Sequence, residues 1–228
     1  MAPPRIPDDP IDWRPQEPLV TRVPVTIRDP IVEPLWSGTR VVVHVNEGGD
    51  DHPPMIRIIE RSGLELTAEE PALTAAIAES LLAQDAVLDG VLTSQATRGG
   101  MGTAIVPEAK LSVMDALMSR DTGVAVRGPA VDEAPPVEAF VAVDLLRLDG
   151  QSLLDVPLLE RKRLLESILD PGPLVRVSVI CRPPVDHWVA SWQSAGLRGG
   201  MLKAANGRYI PGDRTPEWRT LTRIASRR

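Results

Sequence analysis

Residues 33–45 read Glu33-Pro34-Leu35-Trp36-Ser37-Gly38-Thr39-Arg40-Val41-Val42-Val43-His44-Val45. The second half is a run of β-branched residues and predicts a strand. The first half carries proline, glycine and a terminal arginine in a fixed frame ahead of that strand. Working outward, residues 55–59 predict a neighbouring strand, with Gly48-Gly49-Asp50-Asp51 turning the chain between the two. A helix is expected over 72–83, a strand over 86–92, a plain glycine-rich loop over 97–102 and a second helix over 107–118. A linker with two adjacent prolines covers 128–137. Strands are expected over 140–148 and 174–180, flanking a helix over 157–169, and a short helix over 184–195. Asp149-Gly150 between two apolar runs is a tight hairpin turn. Pro157 followed by Leu158, Leu159, Leu164, Leu165 and Ile168 is an amphipathic helix with proline in its first turn.

Composition narrows the function classes. The chain has 228 residues, 43% of them hydrophobic, enough for a real core. Its single cysteine, Cys181, excludes an intrachain disulfide and points to a reducing compartment. Residues 1–15 lack the apolar stretch of a signal peptide, and no segment reaches the roughly 20 apolar residues of a membrane span. A cytoplasmic location, with no membrane partner, is the expectation. The net charge of −6 argues against a dedicated nucleic-acid binder. The charge is uneven: from Arg198 onward eight cations face two acids, a net +6, and the preceding residues carry −12. This basic C-terminal segment is either a solubilising tail or a weak contact for DNA phosphates.

The octapeptide 33–40 resembles the nucleotide-transfer motif of ATP-dependent DNA ligases, Glu-Pro-Lys-Trp-Asp-Gly-x-Arg. Four further segments follow in that family's order. Arg61-Ser62-Gly63-Leu64-Glu65-Leu66-Thr67 with Pro71-Ala72-Leu73 resembles its Arg-Asn-Gly, Thr, Pro-Glu-Leu stretch. Leu88-Asp89-Gly90-Val91 resembles Leu-Asp-Gly-Glu. Residues 140–169, FVAVDLLRLDGQSLLDVPLLERKRLLESIL, closely resemble the family's FDLLYLDGxSLLxxPLxxRxxLL hairpin and helix. Residues 198–218 resemble the EGxxxK, Tyr, Pro-Gly, Arg, Trp series. The chain is identified as a ligase adenylation domain of the bacterial end-joining-repair type, with degenerate motifs. The resemblance implies an α+β nucleotidyltransferase fold: two mainly antiparallel sheets with flanking helices and a nucleotide cleft between them. The expected organisation is an extended arm over 1–30, the nucleotidyltransferase domain over 31–222 and a basic tail over 223–228, with no OB domain.

The positions that carry the family's chemistry are altered. Leu35 stands where the nucleophilic lysine would carry AMP, and a leucine has no lone pair to attack with. Ser37 replaces the motif's aspartate. Val91 and Arg198 replace two glutamates, although Mg²⁺ requires hard oxygen ligands. A cation about 4 Å from Mg²⁺ repels it by roughly 8 kcal/mol at an effective dielectric near 20. Thr220 and Thr222 replace the closing lysines after Trp218, and Val143 replaces the phenylalanine that stacks on adenine. The chain has three lysines, Lys110, Lys162 and Lys203. Lys110 and Lys162 read as solvent-facing on helices, and Lys203 matches a phosphate-contacting lysine. By resemblance Arg40, Arg61, Lys203 and the unusual Arg198 would contact ribose or phosphate. Arg40 and Arg61 read equally well as structural ion-pair formers.

Asp89 and Asp144 read as turn and strand-end residues, and Phe140 as core. His44, His52, His187 and Cys181 show no ligand spacing, so no metal site is assigned. The functional expectation is a pseudoenzyme without lysine adenylation, acting as a scaffold or interaction protein linked to DNA repair. A DNA-repair protein or an active ligase would be its partner. The alternatives are a nucleotide- or nucleic-acid-end-binding module, taking ATP or AMP without Mg²⁺, and, ranked last, an active ligase.

Overall fold

The valine run nucleates the main sheet. In the computed structural model, which describes residues 6–19, 26–46, 55–97 and 137–222, strand β3 covers Thr39–Asn46. Two short strands precede it, β1 (Glu17–Pro18) and β2 (Pro30–Pro34). β4 (Met55–Glu60) and β5 (Ala86–Thr93) pair antiparallel with either side of β3. β6 (Ala139–Leu148) pairs with β5, and β7 (Gln151–Ser152) folds back on β6. The β6–β7 turn uses Asp149 at φ 43° and Gly150 at φ 80°, the two positive φ values of a type I′ hairpin. β8 (Val175–Val177) adds to β6 in parallel and completes six strands.

Alternation along these strands gives the sheet two buried faces. One face, with Val41, Val43, Ile58, Leu88, Phe140 and Ala142, is covered by Leu73 and Ile77 of helix α1 (Pro71–Ser80) and by Leu165 and Ile168 of α2 (Leu158–Ile168). The other face meets a three-stranded antiparallel sheet. In it β9 (Gly200–Ala204) lies between β2 and β11 (Trp218–Leu221). Between the sheets pack two apolar groups. Val91, Val141 and Val143 meet Trp36, Leu202 and Trp192, the last from α3 (Asp186–Ser194). Val42, Val87 and Leu146 meet Trp13, Tyr209 and Trp218. Trp13 and Gln16 are buried, and β1 pairs in parallel with β10 (Arg214–Thr215). This is the mixed architecture, mainly antiparallel sheets with flanking helices, that the resemblance implies.

Several boundaries differ from the sequence expectation. α1 ends at Ser80 rather than 83, because Leu81 turns extended and bridges to Leu169 while Leu82 N–H donates to the Ile168 carbonyl at 2.8 Å. The strand expected over 174–180 stops at Val177. The chain there changes sheets: Ser178 N–H still donates to the Ala142 carbonyl in the large sheet, but Cys181 already bridges to Val32 in the small one. The turn at 48–51, the helix over 107–118 with Lys110, nearly all of the glycine-rich loop and the 128–137 linker, and the 223–228 tail lie outside the described residues.

Gly90 sits where β5 passes under the Phe140 ring. A Cβ added there would lie 2.1 Å from a ring carbon and 2.7 Å from the Val141 carbonyl oxygen. Gly90→Ala should therefore destabilise the fold by at least about 1–3 kcal/mol, the usual cost of overpacking a core. The urea midpoint reads this directly.

Candidate functional site

Residues 33–40 leave the end of β2, cross between the sheets and enter β3. Local bonds fix this crossing. Leu35 N–H donates to the Gly199 carbonyl at 2.9 Å. Ser37 N–H donates to Gln95 Oε1 at 2.8 Å, and the Thr93 hydroxyl donates to the Ser37 carbonyl at 2.6 Å. Gly38 has φ +154°, and a Cβ there would stand 2.0 Å from the Leu92 carbonyl oxygen. Only glycine fits this approach. The motif's frame thus has a folding role that does not depend on its nucleophile.

Between the sheets lies a cavity of about 40 Å³, lined by Glu33, Pro34, Leu35, Trp36, Arg40, Val91, Val143, Met201 and Lys203. The structure brings together four residues singled out from sequence: Leu35, Arg40, Val91 and Lys203. Val143, at the adenine-stacking position, joins them. Ser37, Arg61, Arg198, Thr220 and Thr222 are not among the lining residues. Arg61 is 55% exposed and pairs with Glu17 at 2.5 Å on the surface. Arg198 is exposed on the segment before β9, and Thr220 is exposed on β11. Thr222 accepts a 3.0 Å bond from Gln193 Nε2 through its carbonyl.

The polar groups of the cleft form a network that is buried except at Arg40, whose side chain is 27% exposed. Arg40 makes two bonds to Asp89, of 2.6 and 2.5 Å, and Asp89 also accepts the Tyr209 hydroxyl at 2.8 Å. The same Tyr209 oxygen accepts from Gln16 N–H at 2.8 Å. Arg161 makes two bonds to Asp144, of 2.8 and 2.7 Å. Glu33 takes Lys162 at 2.8 Å and Lys203 at 3.1 Å. The Trp218 ring lies 4.2 Å from Lys203 Nζ and 5.9 Å from the Arg40 guanidinium, within cation–π range.

Burial and pairing set the ionisation of these groups. Burial pushes the Asp144 carboxyl up, but the charge and hydrogen bonds of Arg161, aided by Lys203 and Lys162, hold it below its ordinary value. Burial likewise works against the Arg40 guanidinium, and Asp89 overrides it, leaving Arg40 above its ordinary value. Lys203 is lowered, chiefly by burial and further by Lys162 and Arg40, while Glu33 opposes the shift. Burial and Asp89 raise the Tyr209 hydroxyl well above its usual value. It is a neutral donor at any ordinary pH.

These residues do not fit ATP with Mg²⁺. The cavity of about 40 Å³ compares with roughly 300–1,000 Å³ for ligand pockets in general. The three carboxylates around it, Glu33, Asp89 and Asp144, each already hold a cation. Val91 and Arg198 offer no oxygen to a metal. Leu35 offers no nucleophile.

The model of the ATP-dependent DNA ligase domain matches residues 24–220. The chain belongs to this family. It is 31% identical over 186 residues to the multifunctional non-homologous end joining DNA repair protein LigD of Mycobacterium tuberculosis, covering 82% of this chain and 20% of that protein. It is 30% identical over 190 residues to a DNA ligase of Methanothrix thermoacetophila, covering 82% of this chain and 31% of the other. The chain thus spans less than a third of either relative. Its fold matches the crystal structure of the M. tuberculosis LigD ligase domain with a TM-score of 0.59 at 24% identity, over 92% of this chain and 59% of that one. A mycobacterial DNA ligase D complexed with ATP and MES matches equally well, at 0.59 and 23% identity over 92% of this chain and 60% of that one. The nucleotidyltransferase fold and the kinship with LigD are therefore established for this ligase domain.

Two readings from sequence are corrected by the structure. Lys162 does not face solvent: it is 1% exposed, as is Arg161. Both occupy the apolar face of α2, three and four residues after Leu158 and before Leu165, and the i, i+3, i+4 spacing carried that signal. Their aliphatic stems pack inward, and Asp144 and Glu33 receive their charges. Asp89 and Asp144 are not turn or strand-end residues. They stand mid-strand, fully buried and directly opposite each other across β5 and β6. Phe140 packs in the core as expected.

Removing one partner of a buried pair leaves the other charge uncompensated. Arg161→Met should cost about 3–5 kcal/mol by urea unfolding, and adding Asp144→Leu should restore much of the loss. His44 supplies a pH test. It is 4% exposed on β3, and its Nε2 has no hydrogen-bond partner among the described residues. Burial, then Arg57 and Arg14, lower its pKa to about 4, against Asp9, which raises it. The unfolded chain therefore protonates first as pH falls below about 6.5, so stability declines between there and the folded value. Unfolding measured from pH 7.5 to pH 5 should reveal a loss of about 2 kcal/mol that His44→Leu abolishes.

Proposed function

We propose that this ligase-family domain does not adenylate itself and serves as a scaffold or interaction protein in DNA repair, beside an active ligase. The observation that carries this reading is the state of the cleft. Its nucleophile position is Leu35, its cavity is about 40 Å³, and Val91 and Val143 complete an apolar wall. Neither other described lysine supplies a substitute. Lys162 and Lys203 both share Glu33. The link to repair rests on kinship with LigD, whose name records end-joining repair.

A nucleotide-binding module is the second reading, favoured by one observation: Arg40 and Lys203 line the same cavity. For it to hold, each must give up its present carboxylate partner to a phosphate.

Incubation of the purified protein with α-labelled ATP and Mg²⁺, followed by denaturing electrophoresis, should show no covalent AMP. A labelled band would overturn the pseudoenzyme reading. Calorimetric titration with ATP, with and without Mg²⁺, decides the second reading. Micromolar affinity lost in Arg40→Ala and Lys203→Ala would establish it, and no heat of binding would dismiss it.

A further inference from the structure

Residues 6–19 are held on the domain as a separate peptide would be. Their backbone is tied to one segment, residues 209–215. Gln16 N–H donates to the Tyr209 hydroxyl at 2.8 Å, and Ile210 N–H donates to Gln16 Oε1 at 2.5 Å. Glu17 N–H donates to the Asp213 carbonyl at 3.0 Å and Leu19 N–H to the Thr215 carbonyl at 2.8 Å. Gly212 N–H donates to the Arg14 carbonyl at 2.8 Å. The parallel pairing of β1 with β10 is a two-stranded sheet of its own, outside both larger sheets.

The side chains divide as they do in recognition by strand addition, where backbone bonds hold a peptide and a few side chains select it. Trp13, 4% exposed, fills a pocket among Val42, Val87, Leu146, Leu154, Tyr209 and Trp218. Four positions on, the Glu17 carboxylate meets two arginines, Arg61 at 2.5 Å and Arg214 at 3.6 Å. Both arginines are more than half exposed, so water receives them when the carboxylate leaves. Prolines at 7, 10, 15 and 18 preset much of the backbone, which lowers the ordering cost of docking. The fit is imperfect: Gln16 Nε2 is buried with no hydrogen-bond partner among the described residues, and a stranded donor weakens the arm's hold.

We propose that this groove is a peptide-docking site and that the arm is its internal occupant. An extended segment of a partner protein displaces the arm by offering an aromatic residue to the Trp13 pocket and a carboxylate, four positions later, to Arg61 and Arg214. The proposal deepens the interaction-protein reading and rests on it. The two fail separately, since covalent AMP would overturn the inactive-domain reading without touching the groove.

The probe is a fluorescent peptide of residues 6–19, titrated into the full chain and followed by anisotropy. The wild-type arm competes from a high effective concentration. Trp13→Ala in the chain weakens that competitor, so this variant should bind the wild-type peptide at least about tenfold more tightly than the wild-type chain does. Peptides carrying Trp13→Ala or Glu17→Lys should bind neither. No binding to a folded Trp13→Ala chain would overturn the proposal. A concentration-dependent dimer of the wild-type chain, abolished by Trp13→Ala, would overturn the partner assignment in favour of a second copy's arm. Should Trp13→Ala fail to fold, hydrogen exchange of the wild-type chain decides. Amides of Gln16, Glu17 and Leu19 exchanging at least about a hundredfold faster than those of β3 and β5 support a detachable arm. Equal rates reject it.

Discussion

Two carboxylates that cannot tolerate each other organise this molecule. Asp89 and Asp144 stand opposite across β5 and β6, both fully buried. Like charges so placed are destabilising unless each is neutralised locally. Asp89 draws Arg40 from β3, and Asp144 draws Arg161 from α2. The first pair ties the strand that follows the family motif to the middle of the large sheet. The second pins α2, whose Arg161 also donates to the Val156 and Gly207 carbonyls at 2.5 and 3.2 Å. Gly207 in turn accepts Leu158 N–H at 3.0 Å, which joins the helix start to the segment after β9. The arrangement of helix, sheet and returning chain follows from satisfying two acids.

The same network explains why the motif's frame outlasts its nucleophile. Glu33 anchors Lys162 and Lys203, Arg40 anchors Asp89, and Gly38 permits the close pass beneath Leu92. These positions work in folding whether or not a lysine stands between them. Trp36 works likewise, packing in the core and donating to the Ser178 hydroxyl at 3.1 Å. Leu35 and Ser37 have no comparable side-chain duty, since the chain there is held through backbone groups. Within the octapeptide, the altered letters are those outside this side-chain network.

Much of this was legible in the sequence because it rests on local periodicity and spacing. The valine run, the Asp149-Gly150 turn and the apolar face after Pro157 each specify an element without reference to anything distant. The family frame supplied the sheet arrangement. What stayed hidden depends on register and on long side chains. That Asp89 would meet Asp144 follows from pairing that shifts between Asp89 and Gly90, and spacing alone does not fix such irregularities. Arg161 and Lys162 were obscured by their charge, although their helical positions marked them as inward. The early end of β8 reflects a chain changing sheets, a tertiary event that no run of apolar residues announces.

Restoring the lysine alone would not rebuild the site, and the charge balance says why. Among the described residues, four cations around the cleft, one of them the partly exposed Arg40, meet three carboxylates. A lysine at position 35 adds another to the cavity that Arg40 and Lys203 line, where Val91 stands at a position the family motif gives to a glutamate. Such a lysine gains from withdrawing to solvent, since Leu35 is only half-buried. An active cleft needs a nucleophile, anionic groups to hold a metal and room for a nucleotide, and each of these requirements depends on the others. The scaffold reading proposed above rests on all three being altered together while the surrounding ion pairs stay intact, which leaves a domain with its fold and surfaces in place.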